Sequence, residues 1–173
     1  MGVDTDTGTK LWGYPWHTGA DVNACAPIVI GNSVFITTGY GHGGALLDVT
    51  QTPPAVIWQS KSVQSRFSTP IYADGYLYTT TESNHLMCAN AQTGEIKWQQ
   101  PGFEWGAIIG IDGMLIVGDG KTGEHVLCKM SPDAYQECGR FTPLGGQSWN
   151  APVIANGKLY VRNIKALACF SLN

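Results

Sequence analysis

The sequence predicts an all-β protein, a β-propeller of about four blades, each a four-stranded antiparallel sheet. Three observations predict it: a segment written four times at blade spacing, a tight-turn dipeptide inside each copy, and no convincing helical period anywhere. The copies are CAPIVIGNSVFITT (25–38), STPIYADGYLYTTT (68–81), GAIIGIDGMLIVGD (106–119) and NAPVIANGKLYVRN (150–163). In each, an apolar residue stands seven after the Pro position: Pro27 to Val34, Pro70 to Leu77, Ile108 to Leu115, Pro152 to Leu159. The copies follow one another at 43, 38 and 44 residues, the spacing of a four-stranded blade at about 40–45.

Each copy reads as a hairpin. Asp74-Gly75, Asp112-Gly113 and Asn156-Gly157 accept positive φ at both central positions of a type I′ turn, and Gly31-Asn32 fills the same place in the first copy. A third strand follows each hairpin, at 45–50, 85–91, 125–130 and 165–172. On that strand Leu46, Cys88, Cys128 and Cys169 align, as do His85 and His125, with His42 one place out of step. Next comes a phrase written twice in nearly the same form, DTDTGTKLW (4–12) and NAQTGEIKW (90–98). Asp4 and Asn90 cap a turn through the side chain, Gly8 and Gly94 let the chain reverse, and Trp12 and Trp98 have the surface to fill the wedge between sheets. Trp58 follows Asp48 with a turn lengthened by Pro53-Pro54. The last unit has Met130 in place of the acid, and Phe141 is the expected aromatic. With each Trp strand opening a unit, the blades run 5–50, 51–91, 92–130 and 131–173 of a single propeller segment covering 1–173.

Composition excludes several classes. Charged residues are 13% and hydrophobic ones 43%, which is not the make-up of a disordered chain. The net charge is −3 and the ten basic residues are scattered, so no electrostatic footprint for nucleic acid is written here. No apolar run reaches the roughly 18 residues of a membrane span. The five Cys are an odd number.

The Asp-x-x-Thr-Gly-x-x-x-Trp phrase, followed by Ala/Ser-Pro-Val/Ile and Gly-x-Leu-Tyr-Val, resembles the tryptophan-docking repeat of the pyrroloquinoline quinone (PQQ) propellers. The ending GKLYVRNIKALACFSLN resembles a closing blade of that family. The resemblance implies half of an eight-bladed ring, here a C-terminal four-blade segment that opens inside the phrase at Gly2-Val3-Asp4. Self-association, or N-terminal blades beyond this sequence, would then close the ring. It also implies a periplasmic or extracellular location. The family holds alcohol dehydrogenases that carry PQQ and Ca²⁺, and outer-membrane assembly scaffolds that carry no cofactor. The dehydrogenases use an Asp base, oxygen ligands for Ca²⁺ and an adjacent Cys-Cys pair. This sequence has no Cys-Cys and no acid cluster of the density Ca²⁺ requires. No catalytic or metal residue is therefore assigned and no cofactor is expected. The expected function is a non-catalytic binding or scaffold module with a possible protein partner. The alternative is the C-terminal half of a PQQ-dependent alcohol dehydrogenase-like quinoprotein, its PQQ and Ca²⁺ site completed by other blades.

One set of residues is a candidate ligand site. Three before the Pro position stand Ala24, Phe67, Trp105 and Trp149, and one earlier stand Asn23, Arg66, Glu104 and Ser148. Sister positions converge in a ring, and polar residues that differ between blades beside aromatics suit a pocket. The site would be Arg66, Glu104, Trp105, Trp149 and Asn150; equally, Arg66 and Glu104 would form an ion pair between blades. Sugar binding on the Trp belt is a further reading. The strand cysteines are expected to be buried small hydrophobes, with a Cys128–Cys138 bridge as the alternative, and the aligned His residues either end strands at the surface or line a rim.

Overall fold

The computed structural model describes residues 1–172; residue 173, the end of the fourth repeat unit, lies outside them. The chain begins with a short antiparallel pair, β1 (Gly2–Val3) and β2 (Lys10–Trp12). A single 3-10 turn at Gly19–Asp21 leads into the first full blade. That blade is β3 (Ile28–Ile30), β4 (Ser33–Thr38), β5 (Gly43–Asp48) and β6 (Ala55–Ser60). The second is β7 (Ile71–Ala73), β8 (Tyr76–Thr80), β9 (His85–Asn90) and β10 (Ile96–Pro101). The third is β11 (Ala107–Ile111), β12 (Met114–Gly118), β13 (His125–Lys129) and β14 (Glu137–Phe141). The fourth shows three strands, β15 (Val153–Ala155), β16 (Lys158–Arg162) and β17 (Leu167–Ser171). Every sheet is a meander whose strands pair in chain order.

The hairpins form where the sequence puts them. Asp74/Gly75 and Asp112/Gly113 both take positive φ, as type I′ demands. The first hairpin departs: of Gly31-Asn32 only Gly31 has positive φ, the pattern of a type II′ turn, which needs glycine at its first central position alone. The apolar residues seven after the Pro position, Val34, Leu77, Leu115 and Leu159, are all buried.

Pairing divides the chain differently from the repeat units 5–50, 51–91, 92–130 and 131–173. The Trp strand closes a sheet and does not open the next one: β6 pairs with β5 and β10 with β9. The full sheets accordingly cover 28–60, 71–101 and 107–141, with 153–171 in the three-stranded fourth. Each docking Trp still belongs to two blades, because its indole reaches the next one. Trp58 Nε1 donates to the Ala91 carbonyl at 3.0 Å and Trp98 Nε1 to that of Ser131 at 2.8 Å, each 33 residues on. Trp58 also lies flat on Gly94, where a Cβ would sit 2.8 Å from the ring. Trp12 behaves differently: its indole folds over Gly2 of its own sheet, leaving no room for a Cβ there. The turn it would dock on, Thr50 to Pro54, has no glycine.

The capping chemistry of the phrase is as expected. Asp4 Oδ1 accepts the N–H groups of Asp6 and Thr7 and the Thr7 hydroxyl, and Asn90 Oδ1 accepts from the N–H groups of Gln92 and Thr93. Gly8 and Gly94 have φ of 70° and 71°. In the third blade Phe141 is not the docking aromatic. It pairs with His125 at the far end of β14, while Tyr135 packs edge-on against Trp98 and Phe103 in the wedge.

Packing between blades makes the core. Phe35, Leu46, Leu77, Met87 and Ala89 fill the first interface. Tyr78, Leu86, Cys88, Leu115, Val117 and Cys128 fill the second, and Ile116, Leu159 and Val161 centre the third. The two buried cysteines thus share one interface, which corrects their alignment. Cys88 pairs with Tyr78, whereas Leu127, not Cys128, pairs with the sister residue Ile116. A shift of one residue turns a side chain to the opposite face. His125 is displaced in the same way: it pairs with Gly118, where Leu86 pairs with Thr80. No Cys128–Cys138 bridge forms. Both thiols are free, Cys128 lies opposite Glu137, and Cys138 is the extra residue of a bulge, turned to solvent.

Candidate functional site

The loops that join β4 to β5, β8 to β9 and β12 to β13 share one rim with the loops that carry the chain from blade to blade. Tyr40 sits in the first kind of loop. Phe67, Trp105 and Trp149 sit in the second kind, at sister positions of three successive blades. The repeat brings these three together as a stacked arc. Phe67 and Trp105 lie 6.0 Å apart at 15°, and Trp105 and Trp149 lie 5.4 Å apart at 20°. Tyr40 meets Phe67 edge-on at 6.4 Å. Stacked pairs of this kind contribute about 0.5–1.5 kcal/mol each beyond their burial. All four rings stay partly open to solvent, Trp149 most of all at 54%.

Arg66 holds the arc together. Its Cζ lies 4.3 Å from the Trp105 centroid, 4.8 Å from Tyr40 and 5.9 Å from Phe67. Its Nη2 donates to Glu82 Oε1 at 2.6 Å, and Glu82 Oε2 accepts the Gly41 N–H at 2.8 Å. Burial by itself raises the Glu82 pKa, but the Arg66 and Gly41 hydrogen bonds outweigh it and hold the carboxyl below its usual range. Arg66 Nε is buried without an acceptor.

Glu104 does not pair with Arg66. Each blade pairs its own loops: Arg66 with Glu82, Glu104 with Lys121 at 3.2 Å, and Asn150 Oδ1 with Arg162 Nε at 2.9 Å. Glu104 Oε1 also accepts from Trp105 Nε1 at 3.3 Å. The loop around Trp105 is fixed from below. Asp119 Oδ2 accepts the Glu104 N–H and the Glu104 carbonyl accepts the Gly120 N–H, both at 2.7 Å. A Cβ at Gly120 would come within 2.5 Å of the Trp105 carbonyl. Trp105 itself takes the left-handed conformation, with φ 55°. For a large side chain this costs free energy and persists only where the surroundings over-determine it. Behind the arc, on the side of the innermost strands, lies a groove of about 350 Å³ lined by Phe67, Ile71, Trp105, Ile108, Trp149 and Ala151.

Of the five predicted site residues, Arg66, Trp105 and Trp149 gather in one belt, Glu104 buttresses it, and Asn150 holds Arg162 at its end. Sequence reasoning missed Tyr40, Glu82 and Asp119. Asp119 was legible: DGKTG (119–123) repeats the turn phrase, with Asp119 Oδ1 accepting from Lys121 and Thr122 as Asp4 does from its own turn. It stands between the second and third strands of its blade, where Asn163 of the fourth blade caps a turn in the same way, its Oδ1 accepting from the Lys165 and Ala166 N–H groups.

The donor set does not fit a Ca²⁺ site. Among the described residues no three His, Cys, Asp or Glu side chains come together. The acids near the belt are committed to Arg66, Lys121 and the Asp119 turn. Burial pushes the Cys88 thiol up to about 11 and the Cys128 thiol up to about 12, so neither is a thiolate near neutral pH.

Residues 1–100 match the family described as outer membrane protein assembly factor BamB, a PQQ-repeat model. The chain belongs to this family. The structure of BamB from Moraxella catarrhalis superposes with a TM-score of 0.70 at 17% identity, over 96% of this chain and 49% of that one. The quinohemoprotein alcohol dehydrogenase from Comamonas testosteroni superposes with a TM-score of 0.64 at 15% identity, over 79% of this chain and 28% of that one. In sequence, a lanthanide-dependent methanol dehydrogenase of Methylacidiphilum fumariolicum strain SolV is 27% identical over 84 residues, 42% of this chain and 14% of that enzyme. The BamB-type chain thus spans about half of the BamB structure and far less of the dehydrogenases. What they share with it at these identities is the propeller fold.

Proposed function

We propose that this BamB-type segment is a non-catalytic binding and scaffold module in the periplasm, with the aromatic rim as its contact face and a polypeptide of outer-membrane assembly as its partner. The observation that carries the reading is the arc Phe67–Trp105–Trp149, solvent-accessible yet held rigid by Arg66 and by the strained Trp105 backbone. Rigid aromatics with an arginine beside them are what binding hot spots are made of. Glu82, Glu104 and Asp119 serve as struts of that surface. The family's description as an outer-membrane assembly factor supports the periplasmic placing.

The test has two arms. A dye-labelled, urea-unfolded outer-membrane β-barrel polypeptide is titrated with the segment, with the fluorescence anisotropy of the dye as signal. Saturable binding that weakens tenfold or more in Trp105→Ala/Trp149→Ala supports the reading; the same affinity in that variant overturns it. In the second arm PQQ is added with Ca²⁺ or with a lanthanide. No dye-linked alcohol oxidation and no thermal shift are expected. A stoichiometric shift would instead favour the second reading, a quinoprotein part whose site other blades complete, which the match to methanol dehydrogenase motivates.

A further inference from the structure

The two ends of the blade series carry surfaces that fit each other. On the second blade Ile71, Tyr78, Cys88 and Leu86 face the third, and the last three are fully buried there. The ladder puts Val153, Tyr160, Cys169 and Leu167 of the fourth blade at the same four places. Tyr160 lies opposite Cys169 as Tyr78 lies opposite Cys88, and Arg162 opposite Leu167 as Thr80 opposite Leu86. Yet Val153 is 55% and Leu167 70% exposed. This face continues the blade-to-blade interface of the molecule with nothing against it among the described residues. Among the described residues β17 also has no strand on its outer edge, where β5, β9 and β13 are each closed by a fourth strand.

A fourth strand of the right kind stands at the other end. β2 carries Trp12 of the docking phrase, but it is held only by the two-residue β1 through a shifted register. Gly2 faces Trp12, where Leu46 faces Trp58 and Cys88 faces Trp98. Beside this weak pair opens an apolar cavity of about 410 Å³, lined by Trp12, Trp16, Val29, Val34, Ile36 and Leu47 among others. Trp16 Nε1 is buried with no acceptor.

We propose that a second copy of this chain closes both ends at once, β2 of each copy leaving β1 to become the fourth strand of the other copy's last blade. The register follows from the sister blades: Trp12 of one copy opposite Cys169 of the other. The five residues of β17 replace the two of β1, and the Trp12 indole swings off Gly2 to the place its sisters hold. The partner's three-stranded sheet fills the apolar cavity, and the Val153/Leu167 face is covered. The exchange is two-fold, so both copies lose both open faces, as closed symmetry requires, and contiguous apolar surface is removed from water. The chain superposes on about half of a BamB structure with nearly all its own length, the share that each of two copies would bring to a ring.

Solution mass is the first test, with twice 18.6 kDa expected. The register is tested with Trp12→Cys under mild oxidation. A covalent dimer whose disulfide maps to Cys169, and which Cys169→Ser abolishes, is the expected result. Because Trp12→Cys removes a packed indole, Leu167→Asp serves as an independent variant: the side chain is exposed in the single chain, so the fold stays intact while the dimer dissociates by at least tenfold. A monomer at all concentrations overturns the proposal. So does a disulfide that maps to any other cysteine, or a dimer indifferent to Leu167→Asp.

Discussion

The Arg66 guanidinium lies 4.3 Å from the Trp105 ring centroid while donating to Glu82 at 2.6 Å. One side chain therefore ties together three loops on two blades. Its loss leaves Glu82, about three-quarters covered, without its partner. A charge-assisted hydrogen bond is worth about 1.5–3 kcal/mol and a partly exposed cation–π contact about 0.5–1. Solvent screening at a rim reduces these, so Arg66→Met is expected to cost about 1–2 kcal/mol in urea unfolding. Arg66→Lys recovers only part of that, because an ammonium cannot lie flat on Trp105 and reach Glu82 together. Full recovery by Lys would refute the planar clamp.

Acid should loosen the same clamp. The Glu82 pKa is lowered from 4.5 on folding, so the folded chain binds fewer protons there than the unfolded one. Its contribution is complete above pH 4.5 and is lost as pH falls through the lower folded value. The wild type should lose stability more steeply below pH 4.5 than Glu82→Gln, as read by urea midpoints at each pH. Equal slopes would show that Glu82 contributes nothing.

His125 gives a second pH dependence, in a higher window. Its ring is fully buried against Phe141 and Gly118, and Nε2 has no acceptor. Burial lowers its pKa from 6.5, against the opposing effect of the Gly123 carbonyl at Nδ1. The folded form excludes the proton that the unfolded form takes up. Stability from this group is therefore present above pH 6.5 and falls as pH drops below it. His125→Leu, which writes the residue that Leu86 already supplies at the sister place, should flatten that slope between pH 6.5 and 5. Should the slope persist, it belongs to another group.

The docking tryptophans are not equal. Trp58→Phe and Trp98→Phe each lose a hydrogen bond to the next blade and strand a carbonyl, at a cost of about 1–2 kcal/mol. Trp12→Phe loses no such bond in the single chain and should cost less than half as much. Gly94→Ala separates two causes of strain, since its φ is 71° and its Cβ would strike Trp58. Gly75→Ala has φ 86° with open space around it, so it carries the backbone cost alone, about 1 kcal/mol. Gly94→Ala should exceed it by at least that much in thermal or urea unfolding.

The repeat was legible because each of its signals has a local cause. Asp74-Gly75 can hardly be anything but a hairpin turn, and Leu77 seven residues after Pro70 must face a core. The family resemblance rested on the same residues. The sheet boundaries were not legible, since a Trp that touches two blades assigns itself to neither. Cys128 and His125 were misplaced because the third strand of their blade slips by one residue, and no side chain announces a slip. In the rim, sister positions foretold the arc of Phe67, Trp105 and Trp149. The partner of Arg66 was hidden because Glu82 lies 16 residues away in a loop with no pattern of its own.

The bonds from Trp58 and Trp98 to carbonyls 33 residues downstream have a consequence for biogenesis. As the polypeptide emerges from a ribosome or a translocation pore, each indole waits for most of another blade before it meets its acceptor. The first and second full blades are thus each latched by the blade made after it. A product that stops short of Ala91 would leave Trp58 unlatched, and one that stops short of Ser131 would leave Trp98 so.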